Sequence, residues 1–187
     1  KKLLCAQERG GLARLRMAML HRSLLLLGLL LGAQAVWQDC SAEESIASPQ
    51  LRFDNVTSVP EPVVYGGHQD ILKTLHNTGG DIEGITAELS QYWKAFNRTW
   101  VRFLKIGTDQ CKEHSNFCPL PAGKSVTLVT HHPALAWVTP YGWYRSKQVY
   151  RETSTGRLLG CVDMQFRYCQ DPVSCPYAET AEGEVHI

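Results

Sequence analysis

The stretch RLLGCVDMQF, residues 157–166, points to the fold class of the chain. Its side chains alternate in character along the chain, and a period of two is typical of a half-buried β-strand. The more apolar face comprises Leu158, Gly160, Val162, Met164 and Phe166. The other face comprises Leu159, Cys161, Asp163 and Gln165. We therefore predict a strand here, with its apolar face against a core.

Similar patterns extend outward from this strand. Residues 148–151 precede the turn signal Ser154-Thr155-Gly156, which predicts a β-hairpin that ends in the 157–166 strand. Further strands are predicted at residues 85–90, at residues 125–130 and in the aromatic and β-branched stretch 100–106. Residues 69–76 are ambiguous, because Ile71, Leu72 and Leu75 would also suit a helical turn. Pro and Gly punctuate the chain between these short segments, which favours an all-β sandwich over a helical bundle.

The N-terminal region has the organisation of a secretory signal. Residues 17–35 combine flanking arginines, the apolar run SLLLLGLLL at 23–31 and the small-residue pattern Ala33-Gln34-Ala35. The apolar run is about half the ~20 residues of a membrane-spanning helix. We assign residues 1–16 to a leader outside the folded unit, 36–168 to one domain, and 169–187 to a polar C-terminal tail.

Cysteine usage and charge agree with secretion. The six cysteines after the signal segment form an even set, as expected in an oxidising compartment: Cys40, Cys111, Cys118, Cys161, Cys169 and Cys175. Asn55 and Asn97 each begin an N-x-Thr sequon, so both are predicted glycosylation sites. A formal net charge of +1 with scattered basic residues predicts no nucleic-acid partner.

Motifs for catalysis do not emerge from the sequence. Neither G-x-S-x-G nor H-E-x-x-H occurs. The triplet Gly123-Lys124-Ser125 resembles the end of a phosphate-binding loop, but the glycine required five positions earlier is Cys118. Cysteines in a secreted chain are expected in disulfides rather than in a zinc site. We predict no enzyme, no catalytic residue, no cofactor and no metal.

Two segments are unusually aromatic. Residues 132–144, HPALAWVTPYGWY, contain prolines and a glycine typical of a loop and yet carry many large apolar side chains. A second cluster occupies residues 92–100, with Tyr92, Trp93, Phe96 and Trp100. One interpretation is that these side chains fill the end of the core. The other is an apolar rim around a cavity that serves a lipid or a membrane.

Several cysteine contexts resemble those of the ML (lipid-recognition) domain family. The sequence WQDC at 37–40 is similar to the first cysteine region of that family, and RLLGC at 157–161 to the last. VTSVPEPVV at 56–64, FLKI at 103–106 and the Cys111–Cys118 loop with the GKS at 123–125 resemble the strands and the small loop between them. A finer resemblance, carried by WYR at 143–145 and STGRLLGCV at 154–162, is to the ganglioside-activator branch of the family.

The resemblance implies an immunoglobulin-like antiparallel β-sandwich with an apolar lipid cavity between its sheets. It implies the disulfides Cys40–Cys161 and Cys111–Cys118, and Cys169–Cys175 is added as the remaining pair. The side chains then expected to contact lipid are Trp93, Phe96, Trp100, Phe103, Leu135, Trp137, Val138, Tyr141, Trp143 and Val162.

The function expected from this resemblance is non-enzymatic. The protein would extract a glycolipid or phospholipid from a membrane and present it to a hydrolase, such as a lysosomal glycosidase. Its partners would be the lipid and, transiently, a membrane surface, in the extracellular space or the lysosomal lumen. The alternatives are a sterol carrier of the same family and an extracellular lipid-recognition subunit of an innate immune receptor.

Overall fold

The computed structural model describes residues 36–95, 99–133 and 140–171. The predicted leader and signal segment, the sequon Asn97 and nearly all of the C-terminal tail lie outside these residues. Within the described ranges, no helix is long and apolar enough to cross a membrane.

The described residues form β-strands with one short helix between two of them. The strands are β1 (Val36–Asp39), β2 (Leu51–Val59), β3 (Val63–Val64), β4 (His68–Asn77), β5 (Ile85–Ala95), β6 (Thr99–Asp109), β7 (Ser125–Pro133), β8 (Gly142–Glu152) and β9 (Leu158–Cys169). The helix is α1 (Gln110–Glu113).

The strands make two sheets that pack face to face. The larger sheet has the order β1-β9-β8-β5-β6, with β3 parallel to β9 at its side, and the smaller sheet has the order β2-β4-β7. Except for β3, every pairing is antiparallel. The predicted β-sandwich is confirmed, and the hairpin expected at residues 148–166 is the pair β8–β9.

Strand β9 departs from the predicted alternation at one point. Tyr150 pairs with Gly160 and Arg151 with Leu158, so Leu159 is an extra residue in a β-bulge. Because a bulge reverses the alternation, Leu159 joins the main core, whereas Leu158 packs on the outer face. Our prediction had placed Leu158 on the core face and Leu159 on the outer face, and the structure shows the reverse. The prediction was wrong because a strict period of two assumes a ladder without a bulge.

The ambiguous residues 69–76 are a strand. In β4 the buried positions alternate without interruption along the interior face of the small sheet, and their members are Gln69, Ile71, Lys73, Leu75 and Asn77. The sequence left a helical turn open because three of these five buried side chains are polar. The apolar residues alone therefore do not show the period of two.

The two sheets approach closely where β2 faces β9. A Cβ atom placed on Gly160 would lie 2.5 Å from the carbonyl oxygen of Leu51, so only glycine permits this approach. On the other side of β9, the segment that follows β1 covers the outer face with Ile46, and Cys40 is bonded to Cys161 there.

Two of the expected disulfides are present in the described residues. Cys40–Cys161 spans 121 residues of sequence and Cys111–Cys118 spans 7. Cys169 is also disulfide-bonded, while its predicted partner Cys175 lies outside the described residues.

Candidate functional site

The predicted lipid-contacting side chains occupy several separate places. Four of them lie outside the described residues, namely Phe96, Leu135, Trp137 and Val138. Val162 is a buried core residue, and Trp93 packs against the same core from β5. The structure therefore does not gather the described members of this set around one cavity.

Trp100 and Trp143 lie on the outer face of the large sheet. The ring of Trp100 is 5.8 Å from Nζ of Lys94, and the ring of Trp143 is 5.8 Å from the guanidinium of Arg167. Tyr144, the next residue after Trp143, is buried in the core, and neighbouring residues of a strand point to opposite faces. Trp143 therefore lies in strand β8, although the sequence analysis placed it in a loop.

An aromatic cluster closes one end of the sandwich. The Tyr144 ring lies 5.9 Å from Phe103, 5.8 Å from Phe166 and 6.1 Å from Tyr168. Tyr141 stacks on Tyr168 at 6.1 Å. Phe103 is 56% exposed and Tyr141 is 47% exposed, so this end presents apolar surface to solvent.

A cavity of about 580 Å³ lies between the two sheets, at the side where β6 and β7 are the sheet edges. This volume is typical of small-molecule sites, which span roughly 300–1,000 Å³. Its apolar lining is Ala87, Leu89, Ile106 and Val129. Its polar lining is Lys73, Thr108, Gln110, Glu113, His114, Thr130, His131, His132 and Gln148. The cavity expected between the sheets is present, but its wall is mixed in character.

Lys73 is the most unusual residue of this wall. It projects from β4 into the sandwich and is only 2% exposed. Its Nζ donates to Oε1 of Gln148 at 2.8 Å and to the hydroxyl of Tyr150 at 3.2 Å, both on β8. The Tyr150 hydroxyl itself donates to Gln148 Oε1 at 2.6 Å. A lysine ammonium has three N–H donors, and the described residues offer it these two acceptors.

Burial changes the proton affinity of Lys73 and of its neighbours. Desolvation lowers the pKa of Lys73 from 10.5 to about 8, although the negative charge of Glu113 raises it. Burial also lowers the pKa values of His132 and His114, and the positive charge of Lys73 lowers both further. At neutral pH the ammonium is therefore charged, while the two imidazoles favour their neutral form.

Several polar atoms around the cavity are buried and make no hydrogen bond within the described part of the chain. They are Gln110 Oε1, His114 Nε2, Thr130 Oγ1 and His132 Nε2. A buried polar group without a partner costs about 1–3 kcal/mol, so such groups are rare in native interiors. Four of them around one cavity indicate a space that accommodates polar atoms of a bound molecule or water.

The α1 region holds one wall of the cavity in place. Asp109 caps the helix by accepting from the backbone N–H groups of Cys111 at 3.1 Å and Lys112 at 3.3 Å. The Cys111–Cys118 disulfide then closes the loop that carries His114. Since both sulfurs are in this bond, a zinc site with Cys111 and Cys118 as ligands is excluded.

Apolar side chains at the strand edges are exposed beside the cavity. Ile106 on β6 is 41% exposed and Val129 on β7 is 38% exposed. His131, also exposed, is bonded through Nδ1 to Asp70 at 2.6 Å. The fully buried Lys73 therefore belongs to the floor of the cavity, and Ile106 and Val129 belong to its rim.

The described lining of the cavity includes none of the side chains that the sequence analysis expected to contact lipid, most of which are aromatic. One signal was available: Lys73 stands between Ile71 and Leu75 at the spacing of inward-facing strand positions. A lysine at such a position is rarely buried unless it has a partner.

Comparisons with known proteins give similarity in structure only. No protein-family model matches the chain, and no curated protein matches it by sequence. A Niemann-Pick type C2 protein from Japanese carpenter ant superposes with a TM-score of 0.53 at 13% identity, covering 71% of this chain and 98% of that one. Chicken MD-1 in complex with lipid IVa gives 0.44 at 13% identity, covering 70% and 86%. The C-terminal domain of wzt gives 0.46 at 8% identity, covering 73% and 79%.

Proposed function

We propose that this chain is a lipid-binding and lipid-transfer protein of the ML family. It would extract a glycolipid or phospholipid from a membrane and deliver it to a hydrolase, itself without catalytic activity. The observation that carries the proposal is the 580 Å³ cavity between the sheets, in a sandwich that superposes on a Niemann-Pick type C2 protein. The sequence resemblance at the cysteine regions supports the same family.

Exposed apolar side chains support contact with a membrane. Val101 is 48% exposed and Phe103 is 56% exposed on β6, the sheet edge beside the cavity. Burying such side chains in lipid gains ~1.5–3 kcal/mol each. Ile106 and Thr108, further along the same strand, line the cavity, so contact of β6 with a bilayer would bring the cavity close to the membrane from which the lipid is taken.

A secretory or lysosomal destination is part of this proposal. Two disulfides in the described residues suit an oxidising compartment. Asn55 is exposed on β2, an edge strand of the small sheet, so its side chain is accessible to glycosylation.

The first test is native mass spectrometry of the purified, deglycosylated protein, followed by lipid extraction. We expect about one lipid per chain, since the cavity has the volume of a single site. A protein that carries no lipid and takes none up from vesicles would contradict the carrier function. A recovered sterol would favour the sterol-carrier alternative.

The second test is lipid transfer between vesicles by a Val101→Ser, Phe103→Ser variant. We expect transfer to slow by about tenfold or more, because apolar anchoring is lost. Val36→Ser is the matched control, since Val36 is 55% exposed on β1, at the opposite edge of the same sheet. Equal rates for both variants would remove the β6 edge from the mechanism. Product formation from lipid by the pure protein alone would show that it is an enzyme.

A further inference from the structure

We propose that the cavity between the sheets binds the acidic head group of an amphiphilic lipid, a carboxylate or a phosphate monoester, on the ammonium group of Lys73. This inference rests on the proposed lipid-binding function and deepens it by naming the class of head group.

The first argument is the cost of burying Lys73 without a counter-charge. An ammonium moved out of water carries a penalty of several kcal/mol, so buried lysines are normally paired with a carboxylate. The two acceptors of Lys73 in the described residues, Gln148 and Tyr150, are both neutral groups. Neutral acceptors satisfy hydrogen bonds but carry no counter-charge, so the negative charge that acts on the ammonium comes from the exposed Glu113 in the cavity wall, and an anion from a ligand would compensate the charge at close range.

The second argument is the charge distribution around the cavity. Glu113 is the carboxylate in the described cavity wall, but it is exposed and accepts at 3.0 Å from Nε2 of Gln110. His131 is bonded to Asp70 at the rim. Charges near solvent are strongly screened, whereas a buried charge acts in a low dielectric. The interior of the cavity is therefore dominated by the positive charge of Lys73.

The third argument is the set of further groups available to an oxyanion. Thr130 Oγ1 and His132 Nε2 line the same cavity and have no partner within the described residues. A hydroxyl donates one hydrogen bond, and an imidazole donates from whichever nitrogen carries its proton. Together with the third N–H of Lys73, they supply donors suited to carboxylate or phosphate oxygens.

The orientation of the ligand follows from the same residues. The floor of the cavity is polar at Lys73 and Gln148, while the wall is apolar at Ile106 on the exposed edge strand β6. The head group would then enter first and the hydrocarbon tail would lie toward the exposed strand edges. The acidic group would be shielded during transport, and the receiving enzyme would act only after release.

The test measures binding of three ligands with the same hydrocarbon tail by isothermal titration calorimetry: palmitate, hexadecyl phosphate and hexadecanol. We expect the wild-type protein to bind at least one of the two anions about tenfold or more tightly than hexadecanol. The anion that binds more tightly shows whether the acidic head group is a carboxylate or a phosphate. Lys73→Met should abolish this preference and keep the affinity for hexadecanol. The matched control Lys124→Met removes an exposed lysine and should retain the preference.

The outcomes separate the two proposals. Equal wild-type affinities for the anions and the alcohol would overturn the acidic head group and leave the carrier function intact. A preference that survives in Lys73→Met would overturn the role of Lys73. Failure of all three ligands to bind, with vesicle lipids also refused, would overturn both proposals. Lys73→Arg gives a further check, because it keeps the charge and should retain part of the preference.

Discussion

Lys73 and Gln148 join the two sheets of the sandwich across its interior, with Nζ of the lysine 2.8 Å from Oε1 of the glutamine. Lys73 belongs to β4 of the small sheet and Gln148 to β8 of the large sheet. A hydrogen bond buried between the sheets takes the place of apolar packing. We therefore expect the fold to be less stable than it would be with apolar side chains at these positions, as is common at functional sites.

Replacement of Lys73 by methionine should stabilise the fold. Methionine fills similar volume without a buried charge, and the Tyr150–Gln148 hydrogen bond remains. We expect the free energy of unfolding at pH 7 to rise by about 1 kcal/mol or more, measured by urea denaturation. Lys124→Met should change it little, because Lys124 is exposed. A loss of stability in Lys73→Met would mean that the hydrogen bonds of the lysine outweigh the cost of its burial.

Binding of an anionic amphiphile should weaken at alkaline pH. The pKa of Lys73 is lowered to about 8 by burial, so the free protein loses the ammonium charge as the pH rises through that value. The groups that face it are Gln148 and Tyr150, with His132, His114 and Glu113 around the cavity. Burial raises the pKa of Tyr150, so its phenol remains neutral in this range.

The measurement is the affinity for palmitate between pH 7 and pH 9 by fluorescence displacement. Affinity should fall above pH 8, while affinity for hexadecanol stays constant. A palmitate affinity that does not change with pH would contradict the role of the ammonium.

Glu61 should make the protein more stable in mildly acidic solution. Burial raises the pKa of this carboxyl from 4.5 to about 7, although a hydrogen bond from the backbone N–H of Arg167 opposes the shift. Between these two values the folded protein binds more protons than the unfolded chain, so stability falls as the pH rises from 4.5 to 7. The full effect is on the order of 3 kcal/mol.

Thermal unfolding across this pH range tests the effect of Glu61. Glu61→Gln, which resembles the protonated form, should flatten the profile, while Glu83→Gln at an exposed position should leave its slope unchanged. An unaltered slope in Glu61→Gln would place the pH dependence elsewhere.

The two disulfides should differ in their contributions to stability. In the chain-entropy model, a bond that closes a longer loop stabilises more, and separations of 121 and 7 residues correspond to about 5 and about 2 kcal/mol. We expect Cys40→Ser, Cys161→Ser to lower the free energy of unfolding more than Cys111→Ser, Cys118→Ser does. Urea denaturation at one pH gives both values.

The two disulfides should affect ligand binding in the opposite order to their effects on stability. The Cys111–Cys118 loop carries His114 of the cavity wall, whereas Cys40–Cys161 lies on the outer face of β9. At temperatures where both variants are folded, loss of the Cys111–Cys118 disulfide should weaken binding of hexadecyl phosphate more than loss of the Cys40–Cys161 disulfide does. The reverse order would indicate that the α1 wall does not contribute to the site.

The strands could be predicted from the sequence because their apolar alternation is local. Ile85, Ala87 and Leu89 are buried as that pattern predicts, and the β8–β9 hairpin follows its turn signal. The bulge at Leu159 could not be predicted, because it depends on the pairing with Tyr150 and Arg151 in the neighbouring strand.

The cavity wall was less predictable, because a space between sheets depends on how far they separate. Aromatic content led to Trp100 and Trp143, whose rings lie on the outer face beside cationic side chains. Lys73 lines the interior instead, at a position whose character only the tertiary structure reveals.

The two sheets are held together differently at the two sides of the sandwich. Where β2 faces β9, the missing side chain of Gly160 lets the Leu51 backbone fit against it, so the layers cannot slide there without a clash. Among the described strands, β6 pairs only with β5 and β7 pairs only with β4, so no backbone ladder joins β6 to β7. The main-chain hydrogen bonds near that side are those between Ile82, before β5, and Leu120, before β7. Separation of the sheets at that side would instead break the side-chain hydrogen bonds of Lys73 to Gln148 and Tyr150, so the buried lysine is what couples the two layers there.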